Sequence, residues 1–311
     1  MPIGRPIRLL ASAAVLCVAL CAAPLRADPD ITVTGQRLDP EQAHAQAMDY
    51  VRKVGIATGL TPAARWIDPV CVEVLGVEPA IADLVAARFR AIATRAGARL
   101  GRKGCRTNAL IAFSADGANY VRKLEKLDPR QFEELTGAQR DAVRNGKSPV
   151  RWWYRTGSRG TDGEATSMAP PLGFAIEGDG DVASSGATTD GGPRQNVAAS
   201  KRPSLIATSS KREIKAAAVV VDVNLASGRQ LSAIGEYAAL VLLAEVQPLA
   251  EPPPGSILSL FAPDQPRPDV LTVQDEALLK ALYALPLARE ARFHRGKLVD
   301  GMTKAALGEA K

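Results

Sequence analysis

The chain has 311 residues, 46% apolar and 23% charged, with a formal net charge of +6. That composition supplies a core and excludes a wholly disordered chain. Three of the cations (Arg5, Arg8 and Arg26) lie in the first 27 residues, which hold no acid, so the rest carries +3 and no basic stripe of the kind that tracks nucleic acid; no nucleic-acid partner is expected.

Residues 1–27 read as a secretory signal. Arg5 and Arg8 form a positive start, Leu9 to Ala23 is uncharged and apolar, and Ala27 is a small residue before Asp28-Pro29. The apolar run is shorter than the roughly 20 residues of a membrane span. Leu16 and Leu20 precede Cys17 and Cys21 where a lipoprotein would need a small residue, so no lipid anchor is expected. This predicts a periplasmic or secreted protein that is not integral to the membrane after cleavage. The remaining cysteines are Cys71 and Cys105. In an oxidising compartment such a pair predicts a disulfide, contributing roughly 3–4 kcal/mol by loop entropy. The spacing is not Cys-x-x-Cys, which argues against a redox-active pair.

Residues 28–38 read as a disordered leader. A first helix starts at Asp39-Pro40, with Gln42 at capping-box spacing, an apolar face of Ala43, Ala47, Tyr50, Val51 and Val54, and Gly55 at its end. Val70 to Leu75 reads as a strand broken by Gly76. Pro79 opens a helix with Ile81, Leu84, Val85, Phe89 and Ile92 on one stripe, stopped by Gly97. Ala109 to Ser114 reads as a buried strand, so a Cys71–Cys105 bridge would tie two neighbouring strands across their connecting helix. Residues 118–127 and 129–145 read as helices and Val150 to Tyr154 as a strand. Residues 157–212 are Gly-, Ser-, Thr-, Ala- and Asp-rich and poor in large apolar residues, which predicts a disordered insertion. Ile214 to Val223 is an apolar strand. Gln230 to Val246 is a helix apolar on nearly every side, hence buried; with Glu236 and Glu245 inside it is a core helix and not a span. Thr272 and Asp275 cap a further helix to about Leu285, and the tail from Gly296 is helical.

Neither His44 nor His294 has a Cys or His neighbour at ligand spacing, and both read as solvated surface residues; H-E-x-x-H, G-x-S-x-G and S-x-x-K are absent. Glu177-Gly-Asp179-Gly-Asp181 begins like a calcium loop, but Val182 stands where glycine is needed and Thr188 where a carboxylate is. Gly178-x-Gly180-x-x-Ala183 loosely matches a dinucleotide fingerprint without a following helix. Trp66, Trp152, Trp153 and Tyr154 read as packing residues, with Trp152 and Tyr154 on one sheet face and Trp153 on the other.

Gly-Glu-Tyr-Ala-Ala at Gly235 to Ala239, followed by an apolar run, resembles the zinc helix of zincin-type metallopeptidases, whose pattern is H-E-x-x-H. Glu236 matches the glutamate, Gly235 and Ala239 stand where the histidines would be, and Glu245 stands near a third ligand position. Leu271 to Tyr283 has the form Leu-Thr-x-x-Asp-x-x-Leu-Leu-x-x-Leu-Tyr and resembles a group of uncharacterised exported bacterial proteins of degenerate zincin-like shape. The resemblance spans about Trp66 to Arg289. It implies a single zincin-like α+β (mixed α/β) domain built from residues 39–156 and 213–311, with a mixed sheet and a buried core helix. With the ligands missing it implies no metal and no cofactor. The function expected is therefore non-catalytic, a binding or structural role in the periplasm or envelope with an envelope protein as partner; the alternative is a peptidase-like hydrolase with a carboxylate site around Glu236. Asp30 to Arg37 also resembles the TonB box of outer-membrane transporters, which makes Ile31 and Val33 candidates for partner binding by strand addition.

Overall fold

The computed structural model describes residues 39–160, 176–178, 181–183, 210–248 and 251–309. The signal and the leader, with Ile31 and Val33, lie outside the described residues. Helix α1 (Pro40–Val54) starts on Asp39 and ends at Gly55 with φ 72°. Asp39 accepts from the Glu41 N–H, one position short of a capping box, so Gln42 has no part in the cap. After β1 (Arg65–Trp66), β2 (Val72–Leu75) begins later than expected, Val70 making only an isolated bridge with Leu100. Gly76 ends β2 with φ 78°; a Cβ there would lie 1.9 Å from the Phe113 carbonyl oxygen, so only glycine fits.

Helix α2 (Pro79–Ala96) buries Val85, Phe89 and Ile92 but leaves Leu84 67% exposed. Leu84 is thus a correction to the expected stripe: it is a sequence neighbour of Val85, about 100° round the helix from it and outside the face that the other helices cover. Strand β3 (Ala109–Ser114) and α3 (Gly117–Leu127), capped by Asp116, follow. The expected helix 129–145 is instead a 3-10 turn (Pro129–Phe132) and a separate α4 (Gly137–Asn145). The break is set by Thr136 and Gln139, which close a capping box and start a new helix.

Strand β4 (Val150–Gly160), the short pair β5 (Ile176–Gly178) and β6 (Asp181–Ala183), and β7 (Ser210–Asp222) come next. Residues 157–160 and 210–212, expected within the insertion, are strand: Gly157 pairs with Glu213 and Gly160 with Ser210. A ladder of backbone bonds does not require apolar side chains, which is why composition misplaced both edges. The rest of the expected disordered insertion, apart from β5 and β6, lies outside the described residues. Asp181–Ala183 is strand where a nucleotide fingerprint would need a helix. The chain ends through α5 (Leu231–Leu243), a 3-10 turn (Ile257–Ser259), α6 (Val273–Ala284) and α7 (Ala291–Ala306). Helix α7 begins five residues before the expected Gly296.

These elements make a single mixed α+β domain around a five-stranded sheet. Strand β7 is central. It pairs antiparallel with β4 along its whole length and parallel with β3 (Ala109↔Ala217 to Ser114↔Asp222) and β1 (Trp66↔Ile214); β2 adds parallel to β3. Alternation along the strands divides the core. Ile111, Trp152, Tyr154 and Val219 face the large layer of α1, α2, α5, α6 and α7. Leu110, Trp153, Ala218 and Val220 face α3, the first 3-10 turn and α4. Burial on both faces is why β3 and β7 read as unbroken apolar runs. Among the described residues no helix is long and apolar enough to cross a membrane.

The expected bridge is present. Cys71 and Cys105 are bonded with Cα atoms 6.0 Å apart, tying β2 to the start of β3 across α2.

Candidate functional site

Helix α5 organises the large layer, and from Ala233 to Leu243 every residue is buried. Its last carbonyls have no intrahelical donors, and aromatic side chains supply them. Trp66 Nε1 donates to the Leu242 oxygen at 2.7 Å and the Tyr283 hydroxyl to Leu243 at 3.1 Å. The Tyr154 hydroxyl donates to Val241 at 2.6 Å, while Trp152 Nε1 reaches the Val246 oxygen at 2.8 Å. The aromatics are packing residues, as the sequence suggests, with Trp152 and Tyr154 on one face and Trp153 on the other; their capping of α5 was not expected. Burial and the neighbouring Glu245 push the Tyr154 phenol well above its ordinary pKa, so it stays a donor.

Glu236 is 4% exposed. A lone carboxylate there would be costly, and both its oxygens are engaged. Arg88 Nε of α2 lies 3.0 Å from Oε1, and the Leu271 N–H donates to Oε2. Glu236 therefore pins α5 to α2 and to the entry of α6. Gly235 turns toward α2, where a Cβ would lie 3.9 Å from Val85 Cγ1, and Ala239 is fully buried. Neither offers an atom that could hold zinc, which needs typically three protein ligands. Glu245 is paired through both oxygens with Arg212, Nη2 standing 2.6 Å from Oε1. The donor set of this helix does not fit a metal, and among the described residues no group of three His, Cys, Asp or Glu is placed to hold one.

Beside the Glu236–Arg88 pair a groove of about 630 Å³ opens between α2 and the first turn of α5, lined by Leu84, Ala87, Arg88, Ala91, Leu231 and Ser232 among others. Its position was not legible in the sequence. Leu84 was expected in the core, and the pairing of Arg88 with Glu236 joins residues far apart in the chain, with no local pattern to announce it.

His294 corrects the surface reading. It is fully buried, accepts from the Ala63 N–H at Nδ1 (3.1 Å), and its Nε2 lies 3.2 Å from the Pro286 oxygen. These bonds require the neutral ring with its proton on Nε2, and burial holds the pKa below its ordinary value. The signal was present: Ala291, His294, Leu298 and Met302 form the buried stripe of α7. His44 is exposed, as expected.

Two further polar clusters are structural. Fully buried Asp275 accepts from the hydroxyls of Tyr50 and Ser256 (2.5 Å each), from Ile257 N–H at 2.9 Å and from Thr272 N–H at 2.8 Å. Buried Glu213 takes Lys215 Nζ at 2.8 Å and Arg159 Nη2 at 3.0 Å, both of which also reach Asp68, so the long β4–β7 arm is fastened by charge where its side chains turn polar. Comparison with protein-family models, with curated proteins and with solved structures finds no match to this chain.

Proposed function

We propose that this is a non-catalytic protein of the periplasm or cell envelope, a binding or structural module on a zincin-like scaffold without the zinc-holding side chains. The observation that carries this reading is the commitment of Glu236. A carboxylate whose oxygens are taken by Arg88 and the Leu271 N–H is a structural anchor, held away from work as a base. The zincin-like reading draws support from the succession β2, α2, β3 and, after α3 and α4, the antiparallel β4, then β7 and α5, with α2 packed against α5. Export draws support from the disulfide, which persists in oxidising compartments.

Glu236→Gln tests the reading. It keeps shape but removes the charge that Arg88 faces, so the variant loses roughly 1–3 kcal/mol of stability, while the wild-type protein cleaves neither casein nor a p-nitrophenyl ester. Hydrolysis by the wild type that disappears in a Glu236→Gln variant of unchanged thermal midpoint would overturn the proposal in favour of a carboxylate-based hydrolase.

A further inference from the structure

We infer that the groove between α2 and α5 is a binding site for a single-chain anionic amphiphile, its aliphatic tail along Leu84, Ala87, Ala91 and Leu231 and its acidic head at the Arg88 guanidinium. The inference rests on the non-catalytic binding reading above and gives it a ligand class.

The volume of about 630 Å³ falls within the roughly 300–1,000 Å³ of small-molecule sites. Small residues line its floor and walls: Ala87 and Ala91 on α2 and Gly235 on α5. Leu84, 67% exposed on its rim, is apolar surface that the fold itself does not cover. Among the described residues that line it, only Arg88 and Ser232 carry hydrogen-bonding side chains. That poverty selects the occupant. An extended peptide would bring an N–H and a C=O with each residue and find almost nothing to pair them with. A hydrocarbon chain requires no partners along its length and needs polar recognition at one end only.

Arg88 supplies that end. Its guanidinium has five N–H donors; the Nε group faces Glu236, which fixes the plane of the fork, and 44% of the side chain remains accessible. A carboxylate, sulfate or phosphate head can bridge the outer nitrogens. On the exposed face of α2 Arg90 stands against Asp83, and Arg95 is paired with Glu276 at 3.1 Å, so the cation offered to an anion at the groove is Arg88 through its outer nitrogens. Glu236 is buried and is not among the described lining residues, so it orients the cation from beside the groove.

The test is fluorescence titration of the purified, delipidated protein with dansylaminoundecanoate, followed by competition. Saturable one-to-one binding is expected, displaced about tenfold better by oleate than by oleyl alcohol. Leu84→Asp and Ala87→Trp, both at exposed positions, should weaken binding about tenfold or more at an unchanged thermal midpoint. Arg88→Gln should abolish the preference for acid over alcohol. Absence of saturable binding, wild-type affinity in both groove variants, equal displacement by the alcohol, or displacement by an acidic amphipathic helical peptide and not by oleate would each overturn the inference. None of these results touches the non-catalytic reading, which fails only if hydrolysis is found and is lost in Glu236→Gln, whether or not the probe binds.

Discussion

Replacing both Cys71 and Cys105 by alanine should destabilise the domain mainly through its unfolded state. The bridged residues are 34 apart in sequence, and the loop-entropy relation for a ring of that size gives roughly 4 kcal/mol at 25 °C. Native contacts should change little, because backbone bonds already hold the same two segments. Asn108 Oδ1 accepts from the Cys71 N–H at 2.7 Å, and the Asn108 and Ala109 N–H groups donate to the Cys71 oxygen at 3.1 and 3.2 Å. The Cys105 N–H closes its own turn on Arg102 at 3.0 Å. Urea unfolding followed by tryptophan fluorescence is a suitable assay, since Trp66, Trp152 and Trp153 are all buried. The variant should show a lower midpoint and a steeper slope, because an unbridged chain exposes more surface on unfolding. Its thermal midpoint should fall by about 10 °C. A loss below about 1 kcal/mol with an unchanged slope would refute the entropic account, and two reactive thiols in the denatured, non-reduced protein would refute the bridge itself.

Leu240, fully buried in α5, should cost roughly 2–5 kcal/mol when replaced by alanine; a change within experimental error would mean that α5 is not the centre of the core. Stability should also fall in mild acid through His294. Its folded pKa lies below the ordinary 6.5, so the unfolded chain takes up a proton that the folded chain refuses. The contribution is complete above about pH 6.5 and declines as pH drops toward the folded pKa, by at most about 1.4 kcal/mol per pH unit. Urea midpoints of wild type and His294→Gln between pH 7.5 and 5 would reveal it as a difference that shrinks toward acid, and a pH-independent difference would contradict the assignment.

Local signals in the sequence located most elements. Pro79 and Gly97 bracket α2, Thr272 and Asp275 start α6, and alternation assigned Trp152 and Trp153 to opposite faces. The misses arose where long-range partners override local character. Arg159 and Glu213 make a strand of a stretch that is poor in strand formers, and Ala63 and Pro286 make a core residue of a histidine set among arginines. The break between the 3-10 turn and α4 was legible, since Thr136-Gly-Ala-Gln139 is a capping-box spacing, but the apolar periodicity on either side concealed it. The candidate site was the least legible part. Glu236 stood out, yet what it does depends on Arg88 and on the Leu271 backbone, and neither is a sequence neighbour.

The segment Leu271 to Tyr283, with its Leu-Thr-x-x-Asp-x-x-Leu-Leu-x-x-Leu-Tyr form, shows the kind of information such a pattern holds. The Leu271 backbone donates to Glu236 and so fixes where α5 meets α6. Thr272 caps α6, and Asp275 returns the cap while gathering the hydroxyls of Tyr50 and Ser256, which docks α1 and the second 3-10 turn on the same carboxylate. Leu278, Leu279 and Leu282 fill the core, and Tyr283 reaches back to the last turn of α5. Every residue that gives the pattern its form is thus occupied in joining three helices and a turn. A catalytic motif leaves at least one polar atom free for a substrate; here the polar atoms of Thr272, Asp275 and Tyr283 are all engaged within the fold. The pattern therefore specifies an architecture. Ligand recognition then falls to surface that the architecture leaves uncovered, and the groove beside Arg88, with Leu84 standing open on its rim, is such a surface.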